Sequence, residues 1–448
     1  MSVAAEFAQR RDRLIAEFTA GSATSPPRLG KQTSNLFRDR DESSERRLEV
    51  RDFSHVLEVN TDQGWVDVEG MTTYQALADA TLAHGVMPCV VPQLKSITIG
   101  GAVAGVGIEA SSFKYGLVHE TVLEVEVLLG DGTVVVARPD NEHRSLFFGF
   151  PNSYGTLGYA LRVRAKTVPV KPFVRLEHVH HRDPVAFFGN LAAACASRVD
   201  FVDGVVFGPR EMVITVGRFT DDAPYVSDYT FQRIYYRSLR TREEDYLDAR
   251  DYLWRWDTDW FWCSKNLYAQ NPIVRRILGR NRLNSVFYTK VMRWNSRVGL
   301  TRWVNRIAGK HAESVIQDVD VPLDRAGEFL DFFLREIAIT PVWICPFRAY
   351  APEVSWTLFP TRSGTLYVNF GFWDVVRSPE PHPPGHFNRL VERKVAELGG
   401  IKSLYSDSYY PREDFRSIYN GAGYDALKRR YDPRGAFKDL YEKCVLRH

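Results

Sequence analysis

One stretch limits what this chain can fold into: SITIGGAVAGVGIEASSFKYG, Ser96 to Gly116. Within it GVGIEA, Gly105 to Ala110, fits the loose dinucleotide pattern G-x-G-x-x-G/A. A Rossmann turn needs a strand before its glycines and a helix opening on the last one. The preceding segment HVLEVNTDQGWVDVEG reads as two alternating strands around the turn Thr61-Asp62-Gln63-Gly64. TTYQALADATLAHG then reads as a helix capped by Thr72 or Thr73 and stopped at Gly85. After the glycines, VLEVEVLLGDGTVVVA reads as a hairpin with Leu123, Val125, Val127 and Leu129 on one face and Gly130-Asp131-Gly132 at its turn. Glu124 and Glu126 fall near the offset of a ribose-binding acid, but on the hairpin. A nicotinamide turn does not suit this order. Two readings are left. One is a glycine-rich connection between β elements. The other is a loop whose successive free N–H groups cradle a pyrophosphate without a Rossmann helix. Gly100, Gly101, Gly105 and Gly107 permit close backbone approach, and Thr98, Ser111 and Ser112 add hydroxyls.

The 448 residues suffice for two or three domains, and a net charge of +3 argues against a polyanion binder such as a nucleic-acid protein. Five cysteines, Cys89, Cys195, Cys263, Cys345 and Cys444, lie far apart with no CxxC. That spacing suits a reducing compartment and neither a disulfide framework nor a zinc site, so no metal is expected. MSVAAEFAQRRDRLIAEF reads as a short amphipathic helix rather than a signal peptide, and no run of about 18 apolar residues is present to span a membrane.

At this point the residues resemble a known family. TIGGAVAGVGIEASSFKYGLVHETVLEVEVLLGDGTVV looks like the second half of the FAD-binding domain of vanillyl-alcohol-oxidase-type flavoproteins, in which a T-x-G-G loop follows the pyrophosphate and isoalloxazine. FPNSYGTLGYALRVRAKTVP, Phe150 to Pro169, resembles the family's G-x-x-G strand, and YDPRGAFKDLY, Tyr431 to Tyr441, its C-terminal segment. Within the family the chain resembles the delta-24 sterol reductases, through Gly107–Gly116, WICPF (Trp343 to Phe347) and LYSDSY (Leu404 to Tyr409). It also resembles the FAD-dependent reductase of bacterial branched-chain lipid synthesis, which converts a 10-methylene fatty acyl chain to the 10-methyl chain. The resemblance implies FAD contacts from Thr98, Ile99, Gly100, Gly101, Gly105, Gly107, Ser111, Ser112, Tyr115, Gly116, Gly155, Thr156 and Gly158. The family's first FAD segment is shortened here to RLGKQTSN, where Lys31, Thr33, Ser34 and Asn35 are candidate phosphate contacts. That segment holds no histidine, so FAD is expected without a covalent bond.

Residues 260–312 contain no Asp or Glu and eleven Lys or Arg, among them Arg275 and Arg276. Trp254, Trp256, Trp260 and Trp262 stand just upstream or within. Tryptophans settle at lipid–water boundaries and cations attract anionic head groups. The alternative is a solvated basic face over a Trp-rich core.

The expected fold is α+β. It comprises an N-terminal helix (1–27), a two-part FAD domain (28–170) and a substrate or cap domain with an antiparallel sheet (171–410), whose segment 252–312 faces a membrane. A C-terminal segment (411–448) returns to the FAD domain. The expected chemistry is hydride delivery from reduced flavin to an isolated lipid alkene, with a proton from the protein. Candidate donors are Tyr405, Asp407, Tyr409 and Tyr410, together with Glu109 and His119; Arg348 is a candidate for a substrate carboxylate or phosphate. The 10-methylene acyl chain is preferred to a sterol, because the chain reads as soluble and the basic aromatic segment suits phospholipid. NADPH or a partner protein would reduce the flavin, and the methyltransferase that makes the methylene lipid is an implied partner. The protein would work in the cytoplasm on the inner face of the membrane. An alcohol or sugar oxidase, and a lipid-binding protein with a decayed flavin site, are the competing readings.

Overall fold

Phe7, Leu14 and Phe18 share one helical face, and they are the buried residues of α1 (Val3–Ala20). The computed structural model describes residues 3–20, 28–31, 37–38, 47–298 (backbone alone over 293–298) and 311–447. Alternation in VLEVN and WVDVE gives two antiparallel strands, β1 (Val56–Asn60) and β2 (Trp65–Glu69), joined through Gly64 at φ 67°. Thr73 caps α2 (Tyr74–Leu82) by accepting from the Ala76 N–H, and Gly85 at φ 70° lets the chain turn into β3 (Val86–Pro88). The glycine-rich run forms a short helix, α3 (Ile99–Gly105), and a single helical turn at Ser112–Tyr115. The hairpin β4 (Val122–Leu128) and β5 (Val134–Ala137) follows as the sequence predicts. With β6 (Tyr159–Pro169) these strands make an antiparallel sheet in the order β1-β2-β6-β4-β5, and β3 also pairs β6.

The two faces of this sheet differ. Val66 and Val68 point into a core with Leu77 and Ile99. The opposite face is charged: Arg162 binds Asp67 (2.6 Å), Glu124 and Glu126 (3.1 Å). Helix α1 lies over it, with Arg10 on Glu69 at 2.6 Å and Arg11 on Glu126 at 3.4 Å. Glu124 and Glu126 are therefore sheet ligands of an arginine, not ribose-binding acids.

The second sheet has eight strands, all antiparallel: β7 (Phe173–His181), β8 (Phe201–Gly208), β9 (Glu211–Thr220), β10 (Glu244–Asp248), β11 (His311–Pro322), β12 (Val342–Arg348), β13 (Leu366–Ser378) and β14 (Ile401–Lys402). Their order is β10-β7-β9-β8-β12-β13-β11-β14. Period-2 alternation splits each central strand. Val202, Ile344, Phe370 and Phe372 face a core built with α4 (Pro184–Ala196), and further along the chain with α6 (Leu323–Glu336) and α7 (His386–Glu397). Trp343, Cys345, Phe347 and Trp373 point the other way and share a core with the first sheet's helices. Between β10 and β11 the described residues include α5 (Pro272–Leu278) and a longer helix at Ser285–Val298. At the C-terminus, α8 (Gly421–Tyr431) leads to Phe437, whose ring lies 5.0 Å from Tyr159 on β6 and 6.3 Å from Phe18 on α1. The chain is α+β, as expected.

Candidate functional site

The inner face of the second sheet meets the glycine-rich loop, and the candidate site lies at that junction. The aromatic wall comes first. Trp260 and Phe261 adopt left-handed backbone, φ 44° and 57°, which turns consecutive aromatic side chains inward. Phe261 stacks on Trp373 at 4.3 Å and on Trp256 at 5.0 Å, and its ring lies 5.5 Å from Trp343 of the WICPF strand. Trp254, Trp256, Trp260 and Trp262 are 5%, 1%, 5% and 0% exposed. The expectation that these four face a membrane is corrected: they are interior wall. Arg275 is corrected with them, since it is fully buried on Asp259 and also donates to the Phe231 carbonyl. A guanidinium pinned by a buried carboxylate has no charge to offer a lipid surface. Arg276, one residue on, is exposed. Arg348 is exposed at the end of β12, near enough to influence Cys195 on α4, and so lies away from the inner face.

The glycine-rich loop is anchored differently from the sequence reading. The N–H groups of Ile99 and Gly100 donate to Thr72 O (3.0 Å) and Gly70 O (2.9 Å), and that of Gly101 to Thr98 Oγ1 (3.3 Å). They are not free, so an anion cradle of successive N–H groups at Gly100 and Gly101 is not what this turn provides. Gly100 is needed for close approach instead: a Cβ there would stand 2.7 Å from Gly70 O. Likewise a Cβ on Gly107 would stand 2.8 Å from Val118 Cγ2. The three hydroxyls are also engaged. Ser111 donates to Cys89 O (2.8 Å), Ser112 accepts from the Glu109 N–H (3.1 Å) and Thr156 donates to Ser153 O (2.8 Å). Gly105 packs on Tyr154, whose hydroxyl donates to Gly105 O at 2.8 Å. Gly116, Gly155 and Gly158 take φ of 74°, 77° and 142°, conformations that L side chains rarely adopt. Tyr115 lies beside Lys114, 5.2 Å from ring to ammonium. Lys31 is half-buried; Thr33, Ser34 and Asn35 lie outside the described residues.

Groups that the chain leaves unsatisfied gather nearby. Arg38 is buried over the Tyr154 ring (4.9 Å) and gives Nη1 to Lys443 O and Cys444 Sγ, while its Nε and Nη2 have no partner among the described residues. Ser153 Oγ, beside Tyr154, and Asn152 Oδ1 are also buried without partners, as is Gln93 Nε2 ahead of α3. The buried guanidinium, the hydroxyl and the Gln93 amide N–H are donors that a phosphate or polyol asks for, and Asn152 Oδ1 is an acceptor for a polyol hydroxyl, since such groups are costly to leave unpaired. These residues fit an FAD beside α3. The sequence reading missed all four. Arg38 sits just past RLGKQTSN, and Asn152 and Ser153 precede the singled-out glycines; the positive φ of Asn152 (63°) and Tyr154 (50°) is what turns them inward.

The proton-donor candidates separate in the structure. His119 is buried with its ring 4.5 Å from Trp356, and burial pushes it down to about 3, so its imidazole is neutral. Glu109 is buried on Arg255 at 2.8 Å, and Arg255 also holds Asp203 of β8 at 2.8 Å. Burial raises Glu109 to about 7 against the pull of Arg255. Tyr410 packs among Phe415 and Tyr419, Tyr409 lies against Arg389 and Arg447, and Asp407 lies 3.5 Å from Arg447. Only Tyr405 of this segment joins the aromatic wall. Trp373 Nε1 donates to its hydroxyl at 2.8 Å, and Phe37 meets its ring edge-on at 5.9 Å. Among the described residues no group of His, Cys, Asp or Glu is placed to hold a metal, and no helix is long and apolar enough to cross a membrane.

With this geometry in view, residues 29–138 match the family model of an FAD binding domain. That match, the shared inner face and the unsatisfied donor set define an FAD-binding oxidoreductase. More particularly, the chain is related to Delta(24)-sterol reductases: it is 28% identical over 415 residues to that of Homo sapiens, covering 87% of this chain and 75% of the relative. The figures for the Arabidopsis thaliana enzyme are 26% over 438 residues, 88% and 76%. Cytokinin dehydrogenase 10 of Oryza sativa subsp. japonica is 27% identical over 158 residues, 34% of this chain and 28% of that one.

Proposed function

We propose that the protein uses reduced FAD to saturate an isolated C=C bond of a lipid, and that the alkene is of the Delta(24)-sterol kind. The observation that carries this reading is the extent of the similarity. It covers 87% of the chain, so it takes in the sheet with the aromatic wall as well as the FAD domain. The 10-methylene acyl chain preferred on sequence poses the same chemical problem, because protonation of either alkene gives a tertiary cation, but the similarity supports the sterol better. Bound FAD supplies a hydride equivalent from its reduced form. Arg38, Gln93, Asn152 and Ser153 would hold it beside α3. Trp260, Phe261, Trp343 and Trp373 exclude water from the reacting carbons and offer π faces to positive charge. NADPH or a partner protein supplies the electrons.

The test is anaerobic. Holoenzyme reduced with dithionite, cleared of excess reductant and mixed with a Δ24-unsaturated sterol in micelles should regain its oxidised flavin absorbance, with the saturated sterol as product. Return of the bands with a 10-methylene acyl phospholipid alone would transfer the assignment to that substrate. Flavin that ignores both lipids, but reoxidises rapidly in air and makes peroxide when an alcohol is added, would point to an oxidase.

We also propose that α5 seats the protein on an anionic lipid surface. Ile273 and Ile277, four residues apart on α5, are 70% and 74% exposed, and Tyr268 just before it is 81% exposed. Arg276 on α5 is exposed, as are Arg282 and Lys290 further along the chain, and none binds a carboxylate among the described residues. Exposed apolar side chains in a basic segment suit a headgroup boundary, each cation near it adding about 1 kcal/mol. The Ile273→Asp/Ile277→Asp variant is expected to lose cosedimentation with vesicles of phosphatidylcholine and phosphatidylglycerol. Equal sedimentation of variant and parent would remove this surface from consideration.

A further inference from the structure

Strand β11 carries two carboxyl groups on the inner face, Asp318 and Asp320, which no part of the sequence reading singled out. Their cross-strand partners on β13 are Gly371 and Asn369. Gly371 leaves room for a carboxyl: a Cβ there would stand 2.7 Å from Asp318 Oδ1 and 2.5 Å from the Trp373 ring. Asp318 Oδ1 is buried without a hydrogen-bond partner among the described residues, and the Tyr405 hydroxyl lies close enough to the carboxyl to bias its ionisation. Asn369 Nδ2 donates to Asp320 Oδ1 at 2.8 Å. The Ser403 N–H donates to Asp318 O (3.1 Å), which fixes the Tyr405 segment against β11. No lysine or arginine forms an ion pair with either carboxyl among the described residues. The titratable groups that face them are each other, Tyr405 and, on β13, Tyr367; Tyr154 faces Tyr405 from the FAD domain. Burial without a cation pushes Asp318 up to about 7 and Asp320 to about 8.

We propose that Asp318 and Tyr405 together are the proton source for the reduced alkene. This rests on the alkene reduction proposed above. A phenol oxygen has two lone pairs. The Trp373 N–H takes one, and the neutral Asp318 O–H takes the other, so Tyr405's own hydrogen is left free to point at a substrate. When Asp318 is ionised, the phenol hydrogen turns to the carboxylate and is withdrawn. In the step itself the Tyr405 O–H bond breaks and a C–H bond forms at one alkene carbon. The Asp318 proton moves to the phenol oxygen. The other alkene carbon receives the hydride of the reduced cofactor, which is oxidised by two electrons as the alkene is reduced by two. Solvent later reprotonates Asp318. Tyr405 is the catalytic residue and Asp318 the positioning residue that acts through it.

The dithionite-reduced holoenzyme tests this with the Δ24 sterol and with the 10-methylene phospholipid. The acid must be protonated to act, so reoxidation by the alkene should be full at low pH and fall as pH rises through about 7. Asp318→Asn and Tyr405→Phe should slow that step about 100-fold and flatten its pH profile, within the range of a lost general acid. Both should keep the bound-flavin spectrum and the parent's rate of reduction by dithionite, which shows that they fold, and Asp318→Glu should recover part of the rate. The infrared spectrum at low pH should show a carboxylic-acid C=O band that Asp318→Asn removes. Variants that react as fast as an active parent, or an infrared spectrum without that band, would overturn the proton source alone. A parent inert towards both alkenes overturns the function proposed above and this role with it.

Discussion

Arg255→Met is expected to destabilise the protein by about 3–5 kcal/mol, the usual penalty for stranding a buried charge. Arg255 is fully buried and its Nη2 reaches both Glu109 and Asp203 at 2.8 Å, so one guanidinium joins the glycine-rich loop to β8 of the second sheet. Trp343 Nε1 adds a donor to Asp203 at 3.3 Å, and the Tyr252 ring lies 4.0 Å from the guanidinium carbon. Methionine fills much of the volume and removes the charge, which leaves two carboxyls in an apolar interior. The effect has a pH signature. Burial already lifts Glu109 to about 7 with Arg255 opposing, and without Arg255 it rises further. A carboxyl raised in the folded state contributes stability below its unfolded pKa that is lost as pH rises through the folded one. The gap between parent and variant in urea denaturation should therefore widen from about pH 5 to pH 8. Adding Glu109→Gln and Asp203→Asn to Arg255→Met should narrow it. A loss that is the same at both pH values would mean that packing around Tyr252, not charge, is what Arg255 contributes.

Much of the first domain was legible in the sequence because its signals are local. Alternation marks β1, β2, β4 and β5, and a threonine cap and a left-handed glycine bound α2. The refusal of the glycine run to read as a Rossmann turn also followed from local order, since a hairpin and not a helix comes after it. The tryptophans were misplaced for a physical reason. WRWDTDWFW sets its tryptophans at period 2, the pattern of a strand, but the chain there forms short helical turns, so the alternation does not say which way the rings point. The left-handed conformations of Trp260 and Phe261, which do say so, are imposed by the sheet they cover. Arg275 and Arg276 are adjacent in sequence, and only the position of Asp259 decides that one is a buried pin and the other a surface charge. Asp318 and Asp320 could have been found. In HAESVIQDVDVP the acids fall at period 2 opposite Val315, Val319 and Val321, which marks a strand whose second face is polar. What the pattern cannot tell is that this face is roofed by another domain and so buried.

Gly100→Ala should cost the protein its FAD, while Gly101→Ala, its neighbour, should leave binding nearly intact. The difference lies in what each new methyl meets. At Gly100 the nearest atom, Gly70 O at 2.7 Å, is backbone, and it is the acceptor of Gly100's own N–H at 2.9 Å. Gly70 in turn packs on β6, where its own Cβ would stand 2.1 Å from Ala160 O. Neither carbonyl can swing aside without breaking the ladder, so α3 must move off the sheet. At Gly101 the nearest atom is Thr98 Oγ1 at 2.9 Å, the end of a side chain that can rotate. Overpacking against fixed backbone costs about 1–3 kcal/mol or more. A shift of α3 also moves Gly105 and the Tyr154 beneath Arg38, because the Tyr154 N–H and hydroxyl bond the end of this helix at 3.0 and 2.8 Å. Flavin affinity should fall at least about tenfold in Gly100→Ala, which corresponds to 1.4 kcal/mol. Gly70→Ala, on the other side of the same contact, should be at least as severe. Fluorescence titration of the three apoproteins with FAD measures this directly. Equal affinities for Gly100→Ala and Gly101→Ala would show that the cofactor does not depend on how closely α3 lies on the sheet, and would remove Arg38, Asn152 and Ser153 as a site organised by that contact.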